Sequence, residues 1–122
     1  MRGLRQNVPL AFEETGASSR QAEWGGMNVA LEAFPAGLDT APLFRGLPDN
    51  SCQCPHWGYV VKGRLRVRYK DHEEVLSAGH AYYLAPGHTM VAEEDTELVE
   101  FSPKDEYQKN MEVAARNVAM LR

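Results

Sequence analysis

Two thiols and an imidazole stand at alternate positions in Cys52-Gln53-Cys54-Pro55-His56, directly ahead of the apolar run Tyr59-Val60-Val61. On a strand, positions i, i+2 and i+4 share one face, so Cys52, Cys54 and His56 can converge on one cavity. Thiolate and imidazole together suit zinc, iron, nickel or copper better than magnesium or calcium. The plainer reading is that both cysteines are small buried hydrophobes and His56 is a hydrogen-bonded core histidine. His88 strengthens the metal reading. It follows Pro86-Gly87 at a turn on a separate strand, so its side chain can aim inward at the same end of a barrel.

Other polar groups carry less. His80, after Gly79, reads as the start of a strand facing solvent, and His72 as part of a surface hairpin. Arg64, Arg66 and Arg68, flanked by Lys62 and Lys70, form a basic stripe, read as a solvated sheet face paired with acids such as Glu73, Glu74, Glu93, Glu94 and Asp95. Trp57, Tyr59, Tyr82 and Tyr83 suit a small-molecule pocket, a barrel core or a dimer interface. No nucleophile elbow, P-loop or dinucleotide fingerprint is present.

The elements that must position these groups are short. A strand is predicted from near Trp24 to Phe34, with Met27, Val29, Leu31 and Ala33 on one face. Leu38 to Asn50, holding Pro42, Gly46 and Pro48, reads as a connecting loop. Residues 64–69 alternate arginine with Leu65, Val67 and Tyr69, the pattern of a half-buried antiparallel strand. Further short strands are expected around Val75, at Ala81–Leu84, at Thr89–Val91 and at Glu97–Phe101, a spacing that marks a sandwich or barrel. Ser102-Pro103-Lys104-Asp105 has the form of a helix start, and Tyr107, Met111, Ala114, Val118 and Leu121 recur at helical spacing. Residues 1–22 are expected to be loosely ordered, 23–103 to form the barrel and 104–122 the helix.

The 122 residues bound a single domain able to bury its own core. At 43% hydrophobic and 25% charged, the composition is that of an ordinary globular chain. A net charge of −4 argues against nucleic acid or an anionic membrane as the partner. No run approaches the ~18 apolar residues of a membrane span, and no signal peptide is read at the N-terminus. Cys52 and Cys54 are the only cysteines. An i, i+2 pair on a strand makes a poor disulfide, so reduced thiols in a cytoplasm are expected.

Over about residues 45–103 the chain resembles a single-domain cupin. One glycine-punctuated motif ends on Gly63, and a second runs through Gly79 and Gly87. Against the first, the family's glutamate position falls on His56, its second histidine position on Cys52 and its first on Asn50. Against the second, the proline position falls on Ala85 with Pro86 one place later, the histidine position on Met90 and the asparagine on Glu94. His88, two before Met90, lies on the same side if that segment is extended.

The resemblance implies an all-β fold, a small antiparallel cupin β-barrel (jelly roll) with a C-terminal helix, often dimeric, with a pocket at one end. Metal candidates are His56, His88, Cys52 and Cys54; pocket candidates are Tyr59, Tyr82 and Met90. Three functions follow as expectations. One is a small-molecule enzyme of oxygenase or isomerase type, using zinc, iron or nickel. Another is a metal-free module that binds or senses a small molecule. The third is a thiol-based redox responder, which requires a depressed thiol pKa.

Overall fold

In the computed structural model, the described residues are 1–14 and 16–121. Thr15 of the expected N-terminal turn, Arg122 of the expected helix and the side chain of Leu121 lie outside them. Among the described residues nine strands follow in order: β1 (Leu10–Glu14), β2 (Ala17–Trp24), β3 (Met27–Phe34), β4 (His56–Lys62), β5 (Arg64–Arg68), β6 (Glu73–Ser77), β7 (Ala81–Leu84), β8 (Thr89–Ala92) and β9 (Thr96–Pro103). The helix α1 (Lys104–Leu121) follows them. Single 3-10 turns at Ala41–Phe44 and Pro48–Asn50 shape the long connection from β3 to β4.

The strands form two antiparallel sheets, one of six strands in the order β1-β2-β3-β9-β4-β7 and one of three in the order β6-β5-β8. The all-β jelly roll with a C-terminal helix that the family resemblance implies is therefore present. Between the sheets lies a core of Phe34, Val60, Leu65, Val67, Leu76, Leu84, Met90, Ala92 and Leu98. Leu65, Leu84 and Leu98 are almost wholly removed from solvent, worth about 1.5–3 kcal/mol each in burial.

Leu65 and Val67 face this core while Arg64 and Arg66 face water, as the alternation of β5 predicts. Arg64 pairs with Glu93 and Glu94, Arg66 with Glu73 and Glu93, and Arg68 with Asp39. Self-paired in this way, the stripe is a solvated face rather than an anion site.

Two expectations need correction. Residues 1–22, expected to be loosely ordered, hold β1 and most of β2. Their polarity concealed them because β1 is an edge strand, exposed along nearly its whole length. The strand expected from Trp24 is in fact two, since β2 turns at Gly25-Gly26 into β3. Moreover, Ala30, Glu32 and Phe34 form the buried parity of β3, while of the predicted face only Val29 is buried and Met27, Leu31 and Ala33 are half-buried.

A second, smaller cluster closes one end of the barrel. Phe44, Cys52, Cys54 and Ala114 are buried together, with Leu43, Leu47, Tyr107 and Met111 packed against them. Helix α1 thus lies over the loop that carries both cysteines. Among the described residues, no helix is long and apolar enough to cross a membrane.

Candidate metal centre

Residues 51–55 are not a strand, so the parity that placed both cysteines beside His56 does not apply. Cys52 forms a lone bridge to His88: its N–H donates to His88 O at 2.8 Å, and Gly87 N–H donates to Cys52 O at 2.7 Å. His56 opens β4 and points inward between the same walls. The result is a buried group, Cys52, His56 and His88, whose ligand atoms lie within 4.8 Å of one another. Cys54 stands outside it. That thiol packs under α1, touches the Ser102 hydroxyl and donates to Pro55 O at 3.4 Å.

The chemistry of this donor set suits a transition metal. A tetrahedral ion with bonds of about 2.0–2.3 Å holds its ligand atoms roughly 3.3–3.8 Å apart. Cys52 Sγ and His56 Nε2 are 3.6 Å apart. Both imidazoles are oriented from behind, as metal-binding histidines are. His88 Nδ1 donates to Ala85 O at 2.7 Å, which leaves Nε2 with a free lone pair. His56 Nδ1 meets Ser102 Oγ at 2.6 Å, with Glu100 Oε2 at 3.8 Å favouring a proton on that nitrogen. Three protein ligands leave a fourth position open.

Burial sets the charge state. It lowers both histidines to about 4, so they are neutral at physiological pH. It pushes both thiols up to about 12. A redox responder needs the opposite shift, so that reading loses its physical basis. A cation at the triad would reverse the thiol's preference, because only the thiolate ligates.

Behind the triad lies a set of buried acids that sequence reasoning missed. Glu100 on β9 and Glu32 on β3 are hydrogen-bonded to each other inside the barrel. Burial, the largest cause, raises both above the ordinary carboxylate value, and the charge of Glu100 raises Glu32 further. The pair therefore holds a proton between its two carboxyl groups. Tyr82 donates to Glu100 Oε1 at 2.9 Å across a row in which Gly58 opposes both residues. A Cβ on Gly58 would stand 2.5 Å from Tyr82 Oη, so only glycine lets the phenol cross. A glycine inside an apolar strand was the available signal. Ser102, expected as the helix cap, is drawn inward to His56 instead.

Of the pocket candidates, Tyr82 and Met90 face the interior, and Tyr59 lies on the outer sheet face, 47% exposed. His72 stacks on Tyr69 at the surface, and His80 is exposed, its Nδ1 accepting from Ser77 N–H. A surface groove of about 220 Å³, lined by Gln21, Glu23, Asn28, Lys104 and Tyr107, opens beside the start of α1. Gln21 Nε2 donates from that groove to Ser19 Oγ at 2.8 Å, and Ser19 bonds Glu32. None of the groove's lining residues belongs to the triad.

Glu32→Gln tests the shared proton. With its folded pKa near 8 against 4.5 unfolded, Glu32's contribution is fully present below pH 4.5 and lost as pH rises through about 8. Gln keeps the shape and has no proton to lose. Its melting temperature should exceed that of the parent at pH 8, by about 4 °C for each kcal/mol recovered, with little gain at pH 4.5. A variant less stable than the parent at pH 8 would show that the ionised carboxylate is the form the fold requires.

No family model matches the sequence, and no curated protein matches it. Solved structures do match its fold. An RmlC-like cupin from Shewanella frigidimarina is 17% identical with a TM-score of 0.60, covering 83% of this chain and 88% of that one. KdgF from a Halomonas species is 22% identical at 0.57, covering 82% and 92%. A cupin superfamily protein from Desulfitobacterium hafniense is 12% identical at 0.59, covering 83% and 93%. The chain thus has the fold of a single cupin domain.

Proposed function

We propose that Cys52, His56 and His88 hold a divalent transition metal, zinc, iron or nickel, and that a small molecule occupies the remaining coordination position. The observation that carries this is the convergence of three buried, neutral-nitrogen and sulfur donors on one point from two segments of chain. Such a metal supplies Lewis-acid or redox chemistry. The chain's own part is to orient the two imidazoles through Ser102 and the Ala85 carbonyl, exclude water, and hold a proton on the Glu32–Glu100 pair behind His56. A proton stored beside the site favours isomerase-type over oxygenase-type chemistry.

Elemental analysis of untagged protein purified without chelator tests the reading. About one transition-metal ion per chain is expected. A metal-free preparation that takes up no zinc, iron, nickel or cobalt would sink it. The second reading, a metal-free small-molecule binder, draws on the same 3.6 Å separation, which is also an ordinary thiol–imidazole hydrogen bond. Thermal stabilisation by a ligand, unaffected by chelator, would favour it. Both thiols are free, which suits the reducing cytoplasm we propose as the location.

We also propose that the working form is a homodimer formed through the outer face of the six-stranded sheet. Phe101, Trp57 and Tyr83 stand side by side on β9, β4 and β7 by register, with Tyr59 and Val61 beside them, each between 37% and 55% exposed. A continuous aromatic row of this kind on a single-domain protein is an association surface. Sedimentation should give a dimer, and Trp57→Asp a monomer with the barrel intact. A monomeric parent at micromolar concentration would refute the interface.

A further inference from the structure

The loop that carries Cys52 has no strand partner holding it along its length. From one side it is pinned by the His88 bridge. From the other, α1 packs Tyr107, Met111 and Ala114 against it and, among the described residues, gives it one side-chain hydrogen bond. Asn110, 4% exposed, accepts a hydrogen bond from Gln53 N–H at 2.8 Å through its Oδ1. Its Nδ2 donates to Glu106 O at 2.8 Å, one turn back in the helix, which fixes which end of the amide faces the loop. Gln53 is the residue between the two cysteines. Its side-chain Nε2 donates to Pro48 O, Ser51 O and Ser51 Oγ, tying the segment back to the turn before it.

From this geometry we infer that Asn110 is a positioning residue for the metal centre. It acts through the Gln53 backbone to hold Cys52 Sγ at ligating distance from His56 and His88. The inference rests on the metal reading above, but the clamp itself has consequences in the metal-free protein. Asn117 is the natural comparison. It too ties α1 to the connection below, donating to Leu43 O at 2.7 Å and Arg45 O at 3.0 Å, yet neither carbonyl lies in the segment 51–55 that carries the cysteines. A purely structural role in docking the helix would make the two asparagines equivalent. A positioning role makes them differ.

Asn110→Leu keeps the side-chain volume in an apolar cluster and removes the acceptor; Asn110→Asp keeps the acceptor; Asn117→Ala loosens the helix elsewhere. All are titrated with cobalt(II), reading the thiolate-to-cobalt absorption band. Asn110→Leu should bind cobalt about 10–100-fold more weakly with a shifted band, the range seen when a ligand's hydrogen-bond partner is lost. Asn110→Asp should restore the parent band, and Asn117→Ala should leave it unchanged. An Asn110→Leu protein with parental affinity and band, or an Asn117→Ala protein that shifts it equally, overturns the inference. The second arm measures the Cys52 thiol against a disulfide reagent in metal-free protein carrying Cys54→Ala. Reaction at least tenfold faster in Asn110→Leu than in Asn117→Ala supports the clamp even if the parent takes no cobalt. Equal rates there overturn it, whatever the metal does.

Discussion

His56→Ala is expected to reduce bound metal from about one ion per chain to a trace while leaving the barrel folded. His56 supplies the middle donor of the triad, 3.6 Å from Cys52 Sγ, and the only one rooted in a regular strand. Without it two ligands remain, on segments joined by a single bridge, and two donors leave half a tetrahedral shell to water. Loss of even a ligand's hydrogen-bond partner costs about 10–100-fold in affinity, so loss of the ligand should cost more. The substitution also takes from Ser102 its His56 partner and removes the ring 3.8 Å from Glu100, so stability should fall by roughly 1–3 kcal/mol. Metal content by mass spectrometry and near-ultraviolet circular dichroism separate the two effects. A folded His56→Ala protein that retains a full complement of metal would place the ion elsewhere.

The largest effect on folding is expected at Gly63→Ala. Gly63 links β4 to β5 with φ at +91°, in the region that residues with a Cβ avoid. Space is closed as well. A Cβ there would stand 2.7 Å from Thr96 Cα and closer still to the Asp95 carbonyl oxygen, both of them backbone that cannot swing aside. Thr96 is wholly buried and its hydroxyl bonds both the N–H and the carbonyl of Arg64, so the turn cannot relax without breaking the start of β5 and β9. Backbone strain and a clash add, and the loss should reach about 3–5 kcal/mol, a large share of the stability of a domain this size. Chemical denaturation should show the unfolding free energy lowered by that amount, or no folded protein at all. A change below 1 kcal/mol would show that the turn is far more plastic than its packing indicates.

Much of the barrel was legible from local pattern. Arg64 to Arg68 alternate as a half-buried strand must, and the turns at Gly63, Gly79 and Gly87 punctuate the chain where the strands end. The N-terminal strands were not legible, because an edge strand with both faces partly wet needs no hydrophobic alternation. At the site, Cys52, His56 and His88 were legible by residue type. Their separation from Cys54 was not, because it depends on residues 51–55 forming no strand and being held by the His88 bridge on one side and α1 on the other.

The sequence by itself determined that this is a small all-β domain with a C-terminal helix and that its metal-capable residues lie on two short segments. Periodicity and turn chemistry are local, and 122 residues carry them plainly. Only the tertiary structure decided which thiol joins the histidines, that Ser102 serves His56 rather than the helix, and that Glu32 and Glu100 share a buried proton. Those outcomes join residues far apart in the chain, as with His56 and Ser102, 46 positions apart. Contacts at such separations are set by strand register and packing, which no window of sequence contains.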